Sequence, residues 1–149
     1  MEYIIKYECA KTSYERSLAS YSRILTQKEE LFQRTQPKAI AIDPDRVQGS
    51  GDSNPLEAYM VRKEELQIDA RIEEARSILM HREELYRQTE RILRASNGTW
   101  VRIYVDRYLD NDSVAWISRQ MHFSKRNIYK ILERIRKKSA QKFTNSMLL

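Results

Sequence analysis

Basic side chains cluster between residues 125 and 138, and their types are those that bind nucleic acid. Lysine and arginine bind phosphates, and arginine, lysine and asparagine also hydrogen-bond to base edges in a major groove. The polar residues alternate with apolar ones at three- and four-residue steps, which predicts that they share the exposed face of a helix. Residue type and spacing together therefore indicate binding to a polyanion.

Two predicted helices and a tight turn position this basic face within residues 112–138. Ser113 is expected to cap the first helix and Ser124 the second. Between them, His122 takes a turn position that often has a left-handed backbone, which glycine adopts more easily. Ser118 is small where the two helices cross. The apolar residues of the pair are Ile117, Met121, Phe123, Ile128, Ile131, Leu132 and Ile135.

This pattern is typical of a helix-turn-helix, in which the second helix enters the major groove. On that interpretation residues 124–138 lie in the groove. The predicted base-edge contacts are Arg126, Asn127 and Lys130. The predicted phosphate contacts are Lys125, Arg134, Lys137 and Lys138, with Arg119 on the preceding helix touching the DNA backbone or a polymerase. Paired amphipathic helices also occur in all-α proteins with no nucleic-acid partner.

The distribution of charge favours double-stranded DNA as the partner. Residues 1–98 hold 16 Lys and Arg against 17 Asp and Glu, a net charge of −1. Residues 99–149 hold 11 against 4, a net charge of +7. All of the excess positive charge of the chain, +6, thus lies in the third that carries the predicted helix pair. A clustered basic surface attracts nucleic acid by releasing its counterions.

The sequence offers little for catalysis or metal binding. It has one cysteine, Cys9, and two widely separated histidines, His81 and His122. We therefore predict no disulfide, no metal site, no cofactor and no enzymatic activity. The paired glutamates of the long central segment lie among arginines and are interpreted as a solvated face. No signal peptide and no apolar run of about 18 residues is present, which predicts a cytoplasmic protein without a membrane partner.

The first half predicts a helical hairpin or coiled coil. Residues 1–35 form an N-terminal helix with a narrow apolar stripe. Residues 36–54 contain Gly-Ser-Gly and two prolines and form a linker. A long helix covers residues 55–97, with Asn54 as its cap, and pairs antiparallel with the N-terminal helix or with a second copy of itself. These helices are expected to provide a homodimer contact or a polymerase contact.

The second half predicts a three-helix domain over residues 98–143, followed by a tail, 144–149, that frays or docks. Its first helix covers residues 99–110 with Thr99 as cap, after a left-handed stop at Gly98. Trp116 is assigned to core or edge packing rather than to base stacking. The fold class is therefore all-α, a helical hairpin followed by a helix-turn-helix domain.

Several residues of the second half resemble the fourth region of bacterial sigma factors. They are Arg107-Tyr108, Ser113, Trp116-Ile117, Phe123-Ser124 and Ile128-Tyr129. The whole layout is similar to that of the ArpU/RinA-type late-gene transcriptional regulators of phages of Gram-positive hosts. The sigma-like pattern usually has Ala at the position of Ser118 and Gly at that of His122. The resemblance implies a cytoplasmic DNA-binding regulator of a phage or prophage operon that acts with host RNA polymerase.

Two other functions use similar parts. A small terminase subunit that recognises phage packaging-site DNA also combines a helix-turn-helix with a helical hairpin, but it assembles into rings of eight or more chains. A purely structural coiled-coil protein with a solubilising basic tail would show no salt-dependent DNA binding.

Overall fold

The computed structural model of the chain describes residues 1–35 and 55–147, and this part of the chain is helical with no strand. The all-α class is therefore confirmed. The helices are α1 (Glu2–Thr35), α2 (Pro55–Ala95), α3 (Thr99–Tyr104), α4 (Val114–Met121) and α5 (Lys125–Met147), with a π-helical turn at Val105–Leu109. The predicted linker 36–54, including Gly-Ser-Gly and Asn54, lies outside the described residues.

The chain divides into two compact units. One contains Met1–Ser13 and Glu83–Leu149, and the other contains Tyr14–Arg82. We call them the terminal unit and the hairpin unit. The terminal unit is larger than the predicted 98–143 because both chain ends, and the last turns of α2, share one core. No described helix has the length and apolar content needed to cross a membrane.

Aliphatic side chains from five helices form the core of the terminal unit. Ile4 comes from α1 and Leu93 from α2, and both are fully buried. α3 and α4 both pack on α5. The buried residues of these three helices and the π-helical turn are Val101, Ile103, Tyr104, Val105, Val114, Ile117, Ile128, Ile131, Leu132 and Ile135.

Hydrogen bonds of tyrosine hydroxyls tie the start of α1 to the rest of the terminal unit. The hydroxyls of Tyr7 and Tyr86 lie 3.1 Å apart. The Tyr104 hydroxyl donates to Glu8 Oε1 at 3.0 Å. Burial raises the pKa of both Tyr7 and Tyr104 above the usual range, so both phenols stay protonated. Their hydroxyl protons are thereby kept for hydrogen bonding.

The hairpin unit pairs α1 with α2 in antiparallel fashion. Lys28 Nζ lies 2.7 Å from Asp69 Oδ1, and Arg82 donates to Ser17 Oγ at 2.5 Å. The earlier residue of α1 thus contacts the later residue of α2. The less exposed positions of α1 recur at steps of three, four, three and then seven residues, which is compatible with a coiled-coil seam. These positions are Tyr14, Ser17, Tyr21, Ile24 and Leu31.

The start of α3 differs from the sequence prediction. Gly98, not Thr99, is the N-cap residue, and its carbonyl accepts from the Arg102 N–H at 2.9 Å. Gly98 has φ −72° and ψ 136°, so the predicted left-handed stop at this position is wrong. α2 instead ends at Ala95 in a tight turn, where the Ser96 N–H donates to the Leu93 carbonyl. The N-cap residue of a helix has an extended backbone, so Gly98 is extended because it begins α3.

The predicted helix 99–110 changes its winding halfway. From Val105 onward the backbone is π-helical, and the Asp110 N–H donates to the Val105 carbonyl at 3.0 Å. The turn ends at Leu109, and Asn111, two residues later, has a left-handed φ of 59°. An asparagine tolerates this conformation better than most residues. The wider turn brings Asp106, Asp110 and Asp112 close together.

The last helix is longer than the sequence indicated. α5 continues to Met147, so residues 139–147 extend the predicted groove helix 124–138 and include part of the predicted tail. Ser139 is buried, and residues beyond it line a groove with Ile5 and Lys6 of α1. The weak periodicity of this segment did not predict the additional helix, and among its described residues only Ser139 is buried.

Candidate nucleic-acid interface

Local hydrogen bonds determine where α4 and α5 begin. Ser113 Oγ accepts from the Trp116 N–H, and Ser124 Oγ accepts from the Asn127 N–H, each at 3.2 Å. Each bond satisfies an amide at the start of a helix that has no partner within the helix. Both predicted caps are therefore confirmed, and α5 begins at a fixed residue.

The turn between the helices is held by its own side chains. His122 follows α4 with φ 56° and ψ 32°, which confirms the predicted left-handed position. Its neighbour, Phe123, has its N–H bonded to the Ser118 carbonyl, and the Ser118 hydroxyl donates to the Phe123 carbonyl at 2.5 Å. The serine found where the sigma-like pattern has alanine thus contributes a hydrogen bond across the turn.

Replacing His122 with glycine is expected to stabilise the terminal unit by up to about 1 kcal/mol. A left-handed backbone costs a residue with a Cβ atom about 1–2 kcal/mol, and the greater entropy of glycine in the unfolded chain offsets part of the gain. Urea unfolding followed by circular dichroism would measure the change. The matched control is Asn111→Gly at φ 59°, where the gain should be smaller. A destabilising His122→Gly would show that the imidazole makes a stabilising contact.

The two faces of α5 differ sharply. Ile128, Ile131, Leu132 and Ile135 are buried and fix the rotation of the helix about its axis. On the opposite face, at three- and four-residue steps, lie Arg126, Lys130, Glu133 and Lys137, all exposed. The buried face therefore determines which polar residues point outward.

The three predicted base-edge residues lie together in the first two turns of α5. Arg126, Asn127 and Lys130 are exposed. In the described part of the chain, neither Arg126 nor Lys130 has an ion-pair or hydrogen-bond partner for its side chain. These cationic groups are therefore available to an external ligand without breaking an internal contact.

The predicted phosphate residues fall into two groups. Lys125 and Arg134 are exposed and have no side-chain partner among the described residues. Lys137 instead pairs with Glu133 at 2.8 Å, and the pKa of Glu133 is lowered by this hydrogen bond and charge. Lys138 lies over the Trp100 ring, 5.3 Å from its centre. The sequence could not indicate this last contact, because the two residues are 38 positions apart in the chain.

Arg119 is the one predicted site residue on α4. Its side chain is exposed, and its Nε donates to the Ala115 carbonyl of the same helix at 3.3 Å. The guanidinium therefore folds back along α4. To bind an external ligand through Nε, Arg119 would have to break this weak bond to the Ala115 carbonyl.

Sequence reasoning omitted three exposed residues of α5 that border the predicted site. Tyr129 and Arg136 lie on one flank of the outward face, and Glu133 lies at its centre. Their spacing from Lys125 and Arg126 was a sufficient signal, since residues three or four apart share a face. Trp116, which the sequence assigned to core or edge packing, is 40% exposed and does not belong to the core.

Three aspartates at the end of the π-helical turn form the only described cluster with metal-ligand composition. Arg94 binds Asp110 at 2.9 Å, and the Arg107 guanidinium donates to the Asp112 carbonyl. Burial, and then its acidic neighbours, raise the pKa of Asp106, while Arg102 opposes the shift. Of the three carboxylates, that of Asp110 therefore has a described ion pair, and Arg107 holds the backbone of the turn.

The outward face of α5 thus presents Arg126 and Lys130, which have no side-chain partner among the described residues, beside the Glu133–Lys137 ion pair. The buried face fixes the rotation of this helix. Comparisons of the chain with protein-family models, with curated proteins and with solved structures found no match.

Proposed function

We propose that this chain is a sequence-specific DNA-binding regulator of transcription. In this proposal α4, the turn at His122 and α5 act as a helix-turn-helix, and residues 124–138 lie in the major groove. Arg126, Asn127 and Lys130 read base edges. The observation that carries the proposal is the unpaired state of Arg126 and Lys130 on the outward face of α5.

The geometry of the face supports groove binding. Its charged side chains start in the first turn of α5, and in helix-turn-helix proteins it is the first turns of the second helix that contact base edges. The capped start and the buried isoleucines orient these side chains before any ligand binds. A pre-oriented arginine or asparagine loses less conformational entropy on forming a bidentate contact with a base.

The charge of the chain supports a polyanionic partner. The net charge of +7 in residues 99–149 contrasts with −1 in residues 1–98. A role at a phage or prophage operon, with host RNA polymerase as a further partner, rests on the resemblance to the ArpU/RinA-type regulators.

The proposal is tested by measuring DNA affinity as a function of salt. A library of random duplexes would first be selected on the full chain, and fluorescence anisotropy would then follow binding to a selected and a scrambled duplex. If Lys125 and Arg134 each bind one phosphate, log K should fall with log salt with a slope of about −2 per chain or steeper. We expect tighter binding to the selected duplex. Salt-independent binding, or no binding at about 50 mM salt, would refute the proposal.

Replacing Glu133 with glutamine should strengthen binding to duplexes of any sequence. The change removes a negative charge from the centre of the outward face and releases Lys137 from its ion pair. The salt slope should steepen by about one, since one further cation can contact a phosphate. The control is Glu74→Gln, which removes a carboxylate that is also exposed from α2. Unchanged affinity in the Glu133 variant would place this face away from the DNA.

A further inference from the structure

Cationic side chains recur at four-residue steps along almost the whole length of α5. These five exposed residues are Arg126, Lys130, Arg134, Lys138 and Lys142. We call this set the α5 row. Residues four apart on a helix are neighbours, and each step of four turns by about 40° around the helix axis. The row therefore begins on the outward face of α5 and winds around the helix toward its far end.

The last two members of the α5 row line a groove within the terminal unit. The groove has a volume of about 540 Å³ and lies between the end of α5 and the start of α1. Its polar lining residues are Glu2, Lys6, Lys138, Gln141, Lys142 and Asn145. Three lysines against one glutamate give these side chains a net charge of +2. Lysine, glutamine and asparagine side chains are all donors that proteins use to bind DNA phosphates.

We propose that this groove binds a backbone phosphate of the DNA that flanks the sequence read by α5, with Lys138 and Lys142 as its main contacts. The inference rests on the proposed function. It extends the contact surface from residues 124–138 to the end of α5 and the start of α1. Phosphate contacts fix the position of a protein on a duplex but carry no sequence information. The groove thus positions the chain, while the first turns of α5 read the bases.

The charges of the α5 row are not balanced within the helix. In α2, by contrast, Glu90 binds Arg94 four residues later. The only acid of α5, Glu133, pairs with Lys137, which is not in the row. In the described part of the chain, no side chain of the row forms a hydrogen bond or an ion pair. Like charges four residues apart repel each other, and a polyanion along the row relieves this repulsion.

The single glutamate of the groove is already paired. The Glu2 carboxylate lies 2.8 Å from Lys6 Nζ, and the hydrogen bond and charge of Lys6 lower its pKa, with a weaker contribution from Lys142. Lys138 lies over the Trp100 ring, a contact that involves no acidic group. The ammonium groups of Lys138 and Lys142 are therefore available to a phosphate.

The length of the α5 row matches a contact that extends beyond the bases. Arg126 and Lys142 are 16 residues apart, which corresponds to about 24 Å along α5. One DNA strand carries a phosphate about every 3.4 Å of duplex length, so this distance spans roughly seven phosphates. In homeodomains, a helix-turn-helix variant, the C-terminal end of the groove helix contacts the DNA backbone. Lys142 lies toward the same end of α5.

The first test compares duplexes with and without flanks. Fluorescence anisotropy at about 0.1 M salt would measure the affinity of the full chain for the base pairs that selection fixes, alone and extended by about ten base pairs on each side. We expect the extended duplex to bind more tightly, whatever the sequence of its flanks. Lys142→Gln should weaken binding to the extended duplex about fivefold to tenfold, the contribution of one phosphate contact at this salt concentration. Its affinity for the short duplex should not change.

The control is Lys63→Gln, which removes the same charge from an exposed position of α2 and should change neither affinity. Unchanged binding of Lys142→Gln to both duplexes would overturn the groove proposal, leave the proposed function intact and favour an acidic protein segment as the occupant. Equal losses on both duplexes would also overturn it, because the contact would then lie within the selected sequence. If the natural chain binds neither duplex, the proposed function fails and this inference fails with it.

Tethered cleavage gives the position of the groove on the DNA without relying on lost affinity. In a Cys9→Ser background, an iron chelate would be attached at Asn145→Cys, beside the groove, or at Tyr129→Cys, in the second turn of α5. We expect the first chelate to cut the DNA backbone outside the selected sequence and the second to cut within it. Cuts by both chelates at the same positions, or no cut by the first, would contradict the proposal.

Discussion

Ile128→Ala is expected to lower the free energy of unfolding of the terminal unit by about 2–5 kcal/mol. Ile128 is fully buried in the core and lies in the first turns of α5. Truncation removes apolar contacts and leaves a cavity that the surrounding helices fill only in part. Domains of this size have total stabilities of about 5–15 kcal/mol, so the loss is a large share.

Urea unfolding of the natural chain and the variant, followed by circular dichroism, would measure this effect. The adjacent residue provides the control, since Tyr129 is 60% exposed and Tyr129→Ala should change stability by less than about 0.5 kcal/mol. Equal effects of the two substitutions would mean that α5 is rotated from the orientation described here. That result would also assign a different outward face to the helix.

The double substitution Arg126→Ala/Lys130→Ala is expected to weaken binding to a selected duplex by about 3 kcal/mol, roughly a hundredfold. Each side chain is exposed and unpaired in the described part of the chain, so truncation breaks no internal contact. The loss should therefore come from the DNA complex alone. A scrambled duplex should lose less affinity, because it offers no matching base edges.

The control for this measurement is Lys63→Ala/Arg71→Ala, which removes the same charge from exposed positions of α2. We expect this control to change the affinity little, since both residues lie in the hairpin unit. Equal losses on selected and scrambled duplexes would show that Arg126 and Lys130 bind phosphates instead of bases. No loss on either duplex would remove α5 from the interface.

Local sequence signals predicted the features that depend on neighbours close in the chain. The caps Ser113 and Ser124 and the left-handed His122 each involve residues within five positions. Helical periodicity likewise predicted the buried and outward faces of α5. The all-α class followed from these periodic segments and from the scarcity of glycine and proline outside residues 37–55.

Features that depend on distant neighbours were not predictable from local pattern. Lys138 lies over Trp100, and residues of α5 from Lys138 onward line one groove with Ile5 of α1. Gly98 was assigned a left-handed conformation because Asn-Gly often ends a helix, but here it begins the next one. For the candidate site, sequence therefore predicted which residues point outward. It did not predict which cations are already occupied by internal partners.

The terminal unit places the beginning of the chain in the same core as its last helices. The Tyr7–Tyr86 and Tyr104–Glu8 hydrogen bonds join residues 79 and 96 positions apart. Closing a loop of about 90 residues costs roughly 1 kcal/mol more entropy than closing one of about 30. The terminal unit should therefore fold more slowly than a three-helix bundle with only local contacts. During synthesis, residues 1–13 leave the ribosome long before their partners exist, so this core can form only after Ile135 has also been synthesised.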